Sequence, residues 1–324
     1  MRVFRVVFLF AVLFFLAIPL KGFCADAGAH DKETGTTALM LAAIEDNSQA
    51  IQTLLNNGAD IHARDNKGMT ALMYAALGGH SQAIQTLLDN KADIHARNNT
   101  GGTALMGAAY GGHSQAIQTL LNNGADIHAR GLGGITVLMY AALGGHSQAI
   151  QTLLDNKADI HARNNNGGTA LMGAALKGHN QAIQTLLNNG ADIHARNSDG
   201  ETALMEAAFK GHSHAVQTLL NNGADIHARS NNGMTALMGA AFMGHSQTVQ
   251  TLLDYGADIN VRDSEGRTAL IGAAYHGQSQ AIQTLLDNKA DINMQDKDGR
   301  TALMWARSQN HKDAVKLLEQ YGAK

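Results

Sequence analysis

Apolar residues recur along this chain in an order that repeats every 33 residues. In each period, small and apolar residues at helical spacing follow a threonine, and a second apolar stripe follows a glycine-rich break. A fixed period of this length predicts stacked small units, each unable to bury its apolar face alone. The threonine begins the tetrapeptide Thr-Ala-Leu-Met, or a one-residue variant of it, at Thr37, Thr70, Thr103, Thr136, Thr169, Thr202, Thr235, Thr268 and Thr301.

One period, Asp65 to Arg97, illustrates the predicted local structure. The Thr70 hydroxyl is expected to cap a first helix, which Gly78-Gly79 ends. Ser81 is expected to cap a second helix. The residue that follows this helix is expected to adopt a left-handed conformation, and we call such equivalent positions in successive repeats a column. Glycine fills this column in several repeats, and lysine fills it at a cost of up to about 1 kcal/mol each in three others: Lys91, Lys157 and Lys289.

The segment that follows each second helix alternates polar and apolar residues, as in Asp60 to Arg64. Since an Asn/Asp/Gly-rich turn comes next, the alternation predicts a short hairpin with its aspartate and arginine exposed. We expect these two columns of opposite charge to neutralise each other in a local network. An arginine ladder that binds an anionic ligand is the alternative.

The order Gly-x-Thr-x-Leu, Ala-Ala, Gly-His, Leu-Leu and Gly-Ala-Asp resembles the ankyrin repeat, in a bacterial-type variant, from Lys32 to Lys324. The resemblance implies an all-α solenoid of nine stacked ankyrin repeats, each a helix-turn-helix with a β-hairpin loop. The family's usual tetrapeptide is Thr-Pro-Leu-His, so this chain lacks a histidine that usually makes inter-repeat hydrogen bonds. We expect the methionine in its place to compensate by packing. The predicted repeats are 32–64, 65–97, 98–130, 131–163, 164–196, 197–229, 230–262, 263–295 and 296–324.

The N-terminus predicts a signal peptide over residues 1–27, before a repeat domain over residues 28–324. Arg2 and Arg5 precede an uncharged apolar run, and the small-residue segment Ala25–Ala27 follows it. The run, residues 6–20, is short for a bilayer span, so we expect a periplasmic or secreted protein. Membrane anchoring by an uncleaved leader is the alternative. The only cysteine, Cys24, lies in this leader, which excludes disulfides from the mature chain.

Charge and residue pattern narrow the function classes. The formal net charge is −3; loss of Arg2, Arg5 and Lys21 takes it to −6, and loss of Asp26 returns it to −5. This mildly acidic balance argues against nucleic acid as a partner. The Gly79-His80-Ser81 segment resembles a nucleophile elbow, but its position between two helices and its repetition along the array argue against catalysis.

The sixteen histidines fall mostly into a column after the first helix and a column in the hairpin. Neighbouring units lie about 8–10 Å apart, too far for one column to share a metal ion, so loop and hairpin hydrogen bonding is expected. No metal, cofactor or catalytic residue is predicted. A further hypothesis is that protonation of the histidines below about pH 6 reverses the sign of the net charge and thereby alters partner binding.

Differences between repeats gather just before the threonine and four, seven and eight residues after it. The resemblance places these positions on a concave, partner-binding face, and seven of the nine aromatic residues outside the leader lie there. Aromatic side chains on a rigid surface are typical binding anchors. The strongest candidates are Tyr74, Tyr140 and Trp305. The other predicted partner-binding residues are Tyr110, Phe209, Phe242, Tyr275, Glu206, Met69, Arg267 and Arg300, and packing is the alternative for Tyr110 and Phe209.

These features favour a non-enzymatic, monomeric scaffold in the periplasm or outside the cell that binds an unidentified protein through its concave face. The alternatives are an exported effector that acts on a host protein, a regulator of a periplasmic enzyme, and a passive spacer. Contact with a membrane is expected only through an uncleaved leader.

Overall fold

The computed structural model describes residue 28 and residues 30–323. These residues form eighteen α-helices and no β-strand, with two isolated β-bridges, His30 with Thr37 and Arg130 with Thr136. The predicted signal peptide, residues 1–27, lies outside the described residues. The helices are α1 Ala38–Ile44, α2 Ser48–Asn56, α3 Ala71–Gly78, α4 Ser81–Asp89, α5 Ala104–Gly111, α6 Ser114–Asn122, α7 Val137–Gly144, α8 Ser147–Asp155, α9 Ala170–Lys177, α10 Asn180–Asn188, α11 Ala203–Phe209, α12 Ser213–Asn221, α13 Ala236–Met243, α14 Ser246–Asp254, α15 Ala269–Tyr275, α16 Ser279–Asp287, α17 Ala302–Ser308 and α18 Lys312–Gln320.

The chain divides into two compact units, one ending at Val137 and the other beginning at Leu138. In the first unit, helices α1, α3 and α5 pack side by side, and so do helices α2, α4 and α6. In the second unit, α9, α11, α13, α15 and α17 form one such row, and α8, α10, α12, α14, α16 and α18 form another. Each unit is therefore an all-α solenoid in which the two helices of each repeat join two parallel rows. Within the described residues, no helix has the length and apolar character needed to cross a membrane.

In eight repeats the repeated threonine caps the first helix as predicted. The Thr70 hydroxyl accepts a hydrogen bond of 3.3 Å from the Met73 N–H, and Thr235 caps α13 in the same way. The prediction for the second helix was wrong, because Ser81 is already its first helical residue. The capping position belongs to His80, whose side chain makes no capping bond. The glycine-rich break is therefore one residue shorter than the sequence pattern indicated.

Left-handed residues end the helices where the sequence predicted them. Gly79 has a φ of 77° after α3, and the lysines of the later column, Lys91, Lys157 and Lys289, have φ values of 71°, 71° and 65°. A side chain in this conformation costs about 1 kcal/mol. These three repeats therefore accept a local cost that the glycine-containing repeats avoid.

The methionines of the tetrapeptide pack between repeats, as expected of residues that replace the family's histidine. Met40, Met73 and Met238 are 0%, 2% and 5% exposed. Met304 in the last repeat is 47% exposed. The difference shows that the following repeat, rather than the methionine's own helix pair, buries this column.

The segment between repeats ends in a tight turn without strands. Asp60, His62 and Arg64 are exposed and the residues between them are half-buried, which confirms the predicted alternation. The Asp65 N–H donates to the Met69 carbonyl at 3.1 Å and closes the turn, which we call the loop tip. Within each unit, successive tips are joined by one backbone bond per repeat, such as the 3.0 Å bond from the Asn99 N–H to the Lys67 carbonyl.

The predicted neutralisation of the exposed aspartates and arginines was wrong. The Asp93 carboxylate accepts the His95 N–H at 2.9 Å. Arg97 donates instead to the Arg130 carbonyl at 2.7 Å, and Arg262 donates to the Gln295 carbonyl at 2.8 Å. The aspartate carboxylate thus accepts a hydrogen bond within its own turn. The arginine guanidinium donates to a backbone carbonyl of the following repeat.

The loop histidines join successive repeats, which confirms the expected hydrogen-bonding role of this column. His113 Nε2 donates to the Leu77 carbonyl at 2.9 Å, and His212 Nε2 donates to the Leu176 carbonyl at 3.1 Å. Since a carbonyl only accepts, Nε2 carries the proton in these rings. A methyl group on Gly178 would lie 2.7 Å from the His212 ring, so the glycine before each histidine makes room for the next one.

Polar side chains of the second helices form a similar ladder. The Asn189 side-chain amide donates to the Gln151 oxygen at 3.0 Å, and Asn288 donates to Gln250 at 3.0 Å. In the first unit, Asn90 donates to Gln52 at 3.1 Å. Each of these bonds joins a residue at the end of one second helix to the middle of the second helix of the preceding repeat. We call the exposed surface of the second helices the second-helix face.

Candidate partner-binding face

The predicted partner-binding residues all lie on the loop tips and first helices of the two units, and in each unit we call this surface the first-helix face. Arg300 is exposed, and the other ten are half-buried. Half-burial fixes a side chain by packing while part of it still meets solvent, which is the usual state of a binding anchor. The ten half-buried residues are Met69, Tyr74, Tyr110, Tyr140, Glu206, Phe209, Phe242, Arg267, Tyr275 and Trp305.

Tyr74 is fixed by a hydrogen bond to its own loop tip. Its hydroxyl donates to Oδ2 of Asp65 at 2.6 Å. The other oxygen of this buried carboxylate accepts the N–H groups of Lys67 and Met69, each at 2.8 Å. Burial and the bond to Asp65 raise the pKa of Tyr74, so the phenol stays protonated. Tyr74 therefore has a structural role in addition to any contact with a partner.

Trp305 repeats this arrangement in the last repeat. Its indole N–H donates to Oδ2 of Asp296 at 2.7 Å. The Arg300 guanidinium lies over the indole ring, 4.5 Å from its centroid, and the Tyr275 ring meets it edge-on at 5.0 Å. The indole is thus held from three sides. The contacts with Arg300 and Tyr275 place an exposed cation and a second aromatic ring beside it.

Tyr140 lacks the aspartate that holds the other two anchors, because the corresponding residue in the sequence is Gly131. Burial raises the pKa of Tyr140. In another repeat the aspartate is present but binds an arginine, because Arg267 Nε donates to Oδ2 of Asp263 at 2.9 Å. The residue at the base of each loop tip therefore has different partners in different repeats.

The sequence reasoning missed these loop-base residues as a group. The signal was present, since Asp65 precedes Tyr74 by nine residues and Asp296 precedes Trp305 by nine. Where the later position is Gly107 or Gly173, the earlier one is asparagine. A buried carboxylate needs a donor and a buried phenol or indole needs an acceptor, which accounts for the match in these repeats. Two repeats depart from it: Tyr140 follows Gly131, and Gly272 follows Asp263, whose carboxylate binds Arg267 instead.

Glu206 places a carboxylate on the first-helix face between two glycines of its column, Gly173 and Gly239. Burial raises the pKa of Glu206 to about 7, the neighbouring Glu201 carboxylate adds to the rise, and Lys210 opposes it. The Glu201 carboxylate accepts a bond of 3.0 Å from the Asn197 amide. This part of the face is therefore polar and changes its charge near neutral pH.

The far end of the first-helix face carries an aromatic cluster around His276. The imidazole meets the Phe242 ring edge-on with 4.0 Å between centroids, and it meets the Tyr275 ring at 4.8 Å. Its Nε2 is buried and has no hydrogen-bond partner within the described residues. Burial lowers the pKa of His276, and the nearby His311 lowers it further.

The described part of the chain holds no group of three or more histidine, cysteine, aspartate or glutamate residues arranged to bind a metal ion. The histidines that follow the first helices are used for the bonds between repeats. The hairpin histidines, such as His62 and His95, are exposed at the outer edge of the loops.

A search of curated proteins finds no match to this chain. A family model described as ankyrin repeats, three copies, matches it over residues 10–98, 39–131, 105–197, 171–263 and 260–324. These overlapping segments span most of the sequence and agree with the paired helices, capping threonines and inter-repeat histidines described above. Ankyrin repeats generally act as protein–protein interaction modules. The chain belongs to the ankyrin repeat family.

Proposed function

We propose that this protein is a non-enzymatic scaffold that binds a protein partner through its first-helix face, the concave face of the ankyrin family. The observation that carries the proposal is the distribution of differences between repeats. Second-helix residues are nearly identical in the first eight repeats and bond to one another along each unit. Side chains of the first-helix face differ in size, charge and aromatic character, so they offer a surface with a specific pattern.

The state of the aromatic residues supports the same proposal. Tyr110, Tyr140 and Phe242 are half-buried at the surface, where a partner would complete their desolvation. The predicted leader supports a setting in the periplasm or outside the cell. The family's usual role supports a function without catalysis.

Affinity purification from the protein's own cells tests the proposal. The full chain with a C-terminal tag is compared with a Tyr110→Ala, Tyr140→Ala double variant. Tyr74 and Trp305 remain unchanged, because each holds a loop tip through an aspartate. The matched control is a Gln115→Ala, Gln148→Ala variant, which alters exposed residues near the starts of α6 and α8.

A partner that the wild type and the control retain and the double variant loses is the expected result. Equal retention by all three would place the site elsewhere and overturn the use of the first-helix face. A chain that captures no partner would favour a passive spacer. A partner that is a host protein or a periplasmic enzyme would distinguish an effector from a regulator.

A further inference from the structure

In the other repeats of the second unit, the residue at the position of His276 is exposed wherever it is not glycine. This position, eight residues after the repeated threonine, holds Lys177, Lys210, Met243 and Gln309 in those repeats. All four of these side chains are exposed. His276 is half-buried, with its ring against Phe242 and Tyr275. An outward position is therefore open to a side chain at this site, and the imidazole lies inward instead.

Repeat stacking does not require the inward position. The bond that histidine makes elsewhere between repeats is made here by Gln278, whose amide donates to the Phe242 carbonyl at 3.3 Å. The next repeat contributes His311, whose Nε2 donates to the Tyr275 carbonyl at 3.1 Å. Both inter-repeat bonds around His276 are thus complete without it.

The inward position favours a neutral imidazole. Its buried Nε2 has no partner within the described residues, and a positive charge there would lose its hydration without compensation. The elements around it are α13, through Phe242, its own repeat, through Tyr275, and the start of α18, through His311. Of these groups His311 is the one with a basic side chain, and none of the ion pairs within the described residues includes His276.

We propose that His276 is a proton-operated switch that changes the partner-binding surface at the aromatic cluster formed by Phe242, Tyr275 and Trp305. In the neutral form the imidazole completes this cluster. Protonation drives the ring to the outward position that Lys177 and Lys210 occupy. The edges of Phe242 and Tyr275 then lose their packing neighbour, and a positive charge projects beside them. The functional consequence rests on the proposed function, since these rings are among the residues assigned to the partner.

The direction of the pKa shift agrees with this geometry. Burial lowers the pKa of His276 below its ordinary value of 6.5, so the neutral, inward form predominates at neutral pH. The outward form is more exposed to solvent and takes up a proton more readily. A cation is accepted there in an earlier repeat, where the Lys210 ammonium lies 5.5 Å from the centroid of the Phe209 ring. Acidification therefore shifts the population from the inward to the outward form.

The chain contains one tryptophan, Trp305, and its fluorescence reports on the cluster. The Trp305 ring lies 5.0 Å from Tyr275, which in turn contacts His276. The measurement is Trp305 emission of the full protein from about pH 8 to about pH 4.5, with far-ultraviolet circular dichroism to show that the helices persist. We expect a reversible transition with a midpoint below pH 6.5.

Three variants assign the transition. His276→Gln is expected to abolish it, and His276→Lys is expected to give the acidic emission already at pH 8. His311→Gln keeps the carbonyl bond, as Gln278 does one repeat earlier, and is expected to retain the transition with a higher midpoint because the neighbouring charge is gone. A transition that survives in His276→Gln, or a wild type with no transition, would overturn the proposal.

These readouts need no partner, so failure of the switch and failure of the proposed function are separate results. If a partner is found, its affinity for the wild type is expected to fall by about tenfold between pH 7.5 and pH 5.5, and its affinity for His276→Gln is expected to stay constant. A fluorescence transition without any such partner would support the switch and contradict the binding function.

Discussion

The second-helix side chains and the aromatic anchors of the first-helix face use hydrogen bonds in opposite ways. On the second-helix face, bonds run from one repeat to the next, as from Asn189 to Gln151. On the first-helix face, the bonds that Tyr74 and Trp305 donate stay within their own repeat. A residue that bonds to the neighbouring repeat can change only to one that also bonds there, as Gln278 does where other repeats have histidine. A residue that bonds within its own repeat can be replaced together with one local partner, without any change in the neighbouring repeats. The first-helix face can therefore differ from repeat to repeat.

The loop histidines follow the rule of the second-helix face. His212 bonds to the Leu176 carbonyl and rests on Gly178, so three residues in two repeats depend on one another. The comparison therefore predicts that substitutions at contacts between repeats reduce stability most. Substitutions on the first-helix face are expected to reduce stability less and partner binding more.

The largest loss is expected from Gly178→Ala. Gly178 has a φ of 71°, and a methyl group there would lie 2.7 Å from the His212 ring. The free energy of unfolding should fall by about 2–3 kcal/mol, from backbone strain together with displacement of the histidine. Gly190→Ala is the matched control, because Gly190 also has a positive φ but nothing lies within 4 Å of the added methyl. Urea denaturation measures both, and equal losses would disprove the interlock between glycine and histidine.

A somewhat smaller loss is expected when a loop tip loses its aspartate. Asp296→Ala removes the acceptor for the Trp305 indole and for the N–H groups of Asp298 and Arg300. We expect a loss of about 2 kcal/mol and a shift of Trp305 emission toward the solvent-exposed value. Asp298→Ala changes an exposed residue of the same turn and should leave both properties nearly unchanged. A normal emission spectrum in Asp296→Ala would show that the carboxylate does not hold the indole.

Glu206 should make stability depend on pH in the direction of a raised pKa. The folded protein holds its proton up to about pH 7, whereas the unfolded chain releases it near pH 4.5. The contribution of Glu206 is therefore complete below pH 4.5 and is lost as the pH rises through 7. Glu206→Gln should be more stable than the wild type at pH 8 by about 1–2 kcal/mol, with no advantage at pH 4. Chemical denaturation at both pH values checks this, with exposed Glu265→Gln as the control.

The smallest change, a gain, is expected at a buried hydroxyl of α14. Thr248 stands where α12 has Ala215, and its hydroxyl is buried without a hydrogen-bond partner in the described structure. Thr248→Val keeps the shape and removes the unpaired group, so we expect about 1 kcal/mol of added stability. Thr218→Val is the contrast, because the Thr218 hydroxyl donates to the His214 carbonyl at 2.9 Å. A loss at Thr248 would mean that its hydroxyl is satisfied in solution.

Much of the fold could be predicted because the period, the capping threonines and the terminal glycines act locally. The left-handed Lys157 and the buried Met73 both follow from their columns in the sequence. The start of the second helix could not be placed correctly from the sequence, because histidine and serine are neighbours there and either could stand at the capping position. The histidine side chain bonds to the preceding repeat, as His212 does to the Leu176 carbonyl, and this bond is visible only in three dimensions.

The surface proved harder to predict than the core. Periodicity indicated which positions face outward, and it assigned Tyr74 and Trp305 to the variable face. It did not show that each is bonded to an aspartate nine residues earlier, because that bond joins a loop tip to a helix. Likewise, opposite charges four residues apart suggested ion pairs, whereas Arg97 reaches the Arg130 carbonyl of the following repeat.

Site-specific photocrosslinking tests the assignment of the partner to the first-helix face most directly. A photoreactive phenylalanine derivative is placed at Tyr140 or Phe209 on the first-helix face, and at Gln148 or Gln181 on the second-helix face, in the full chain in its own cells. We predict one crosslinked protein shared by Tyr140 and Phe209 and none from the two glutamine positions. A partner crosslinked from Gln148 and Gln181, and not from Tyr140 or Phe209, would contradict the account.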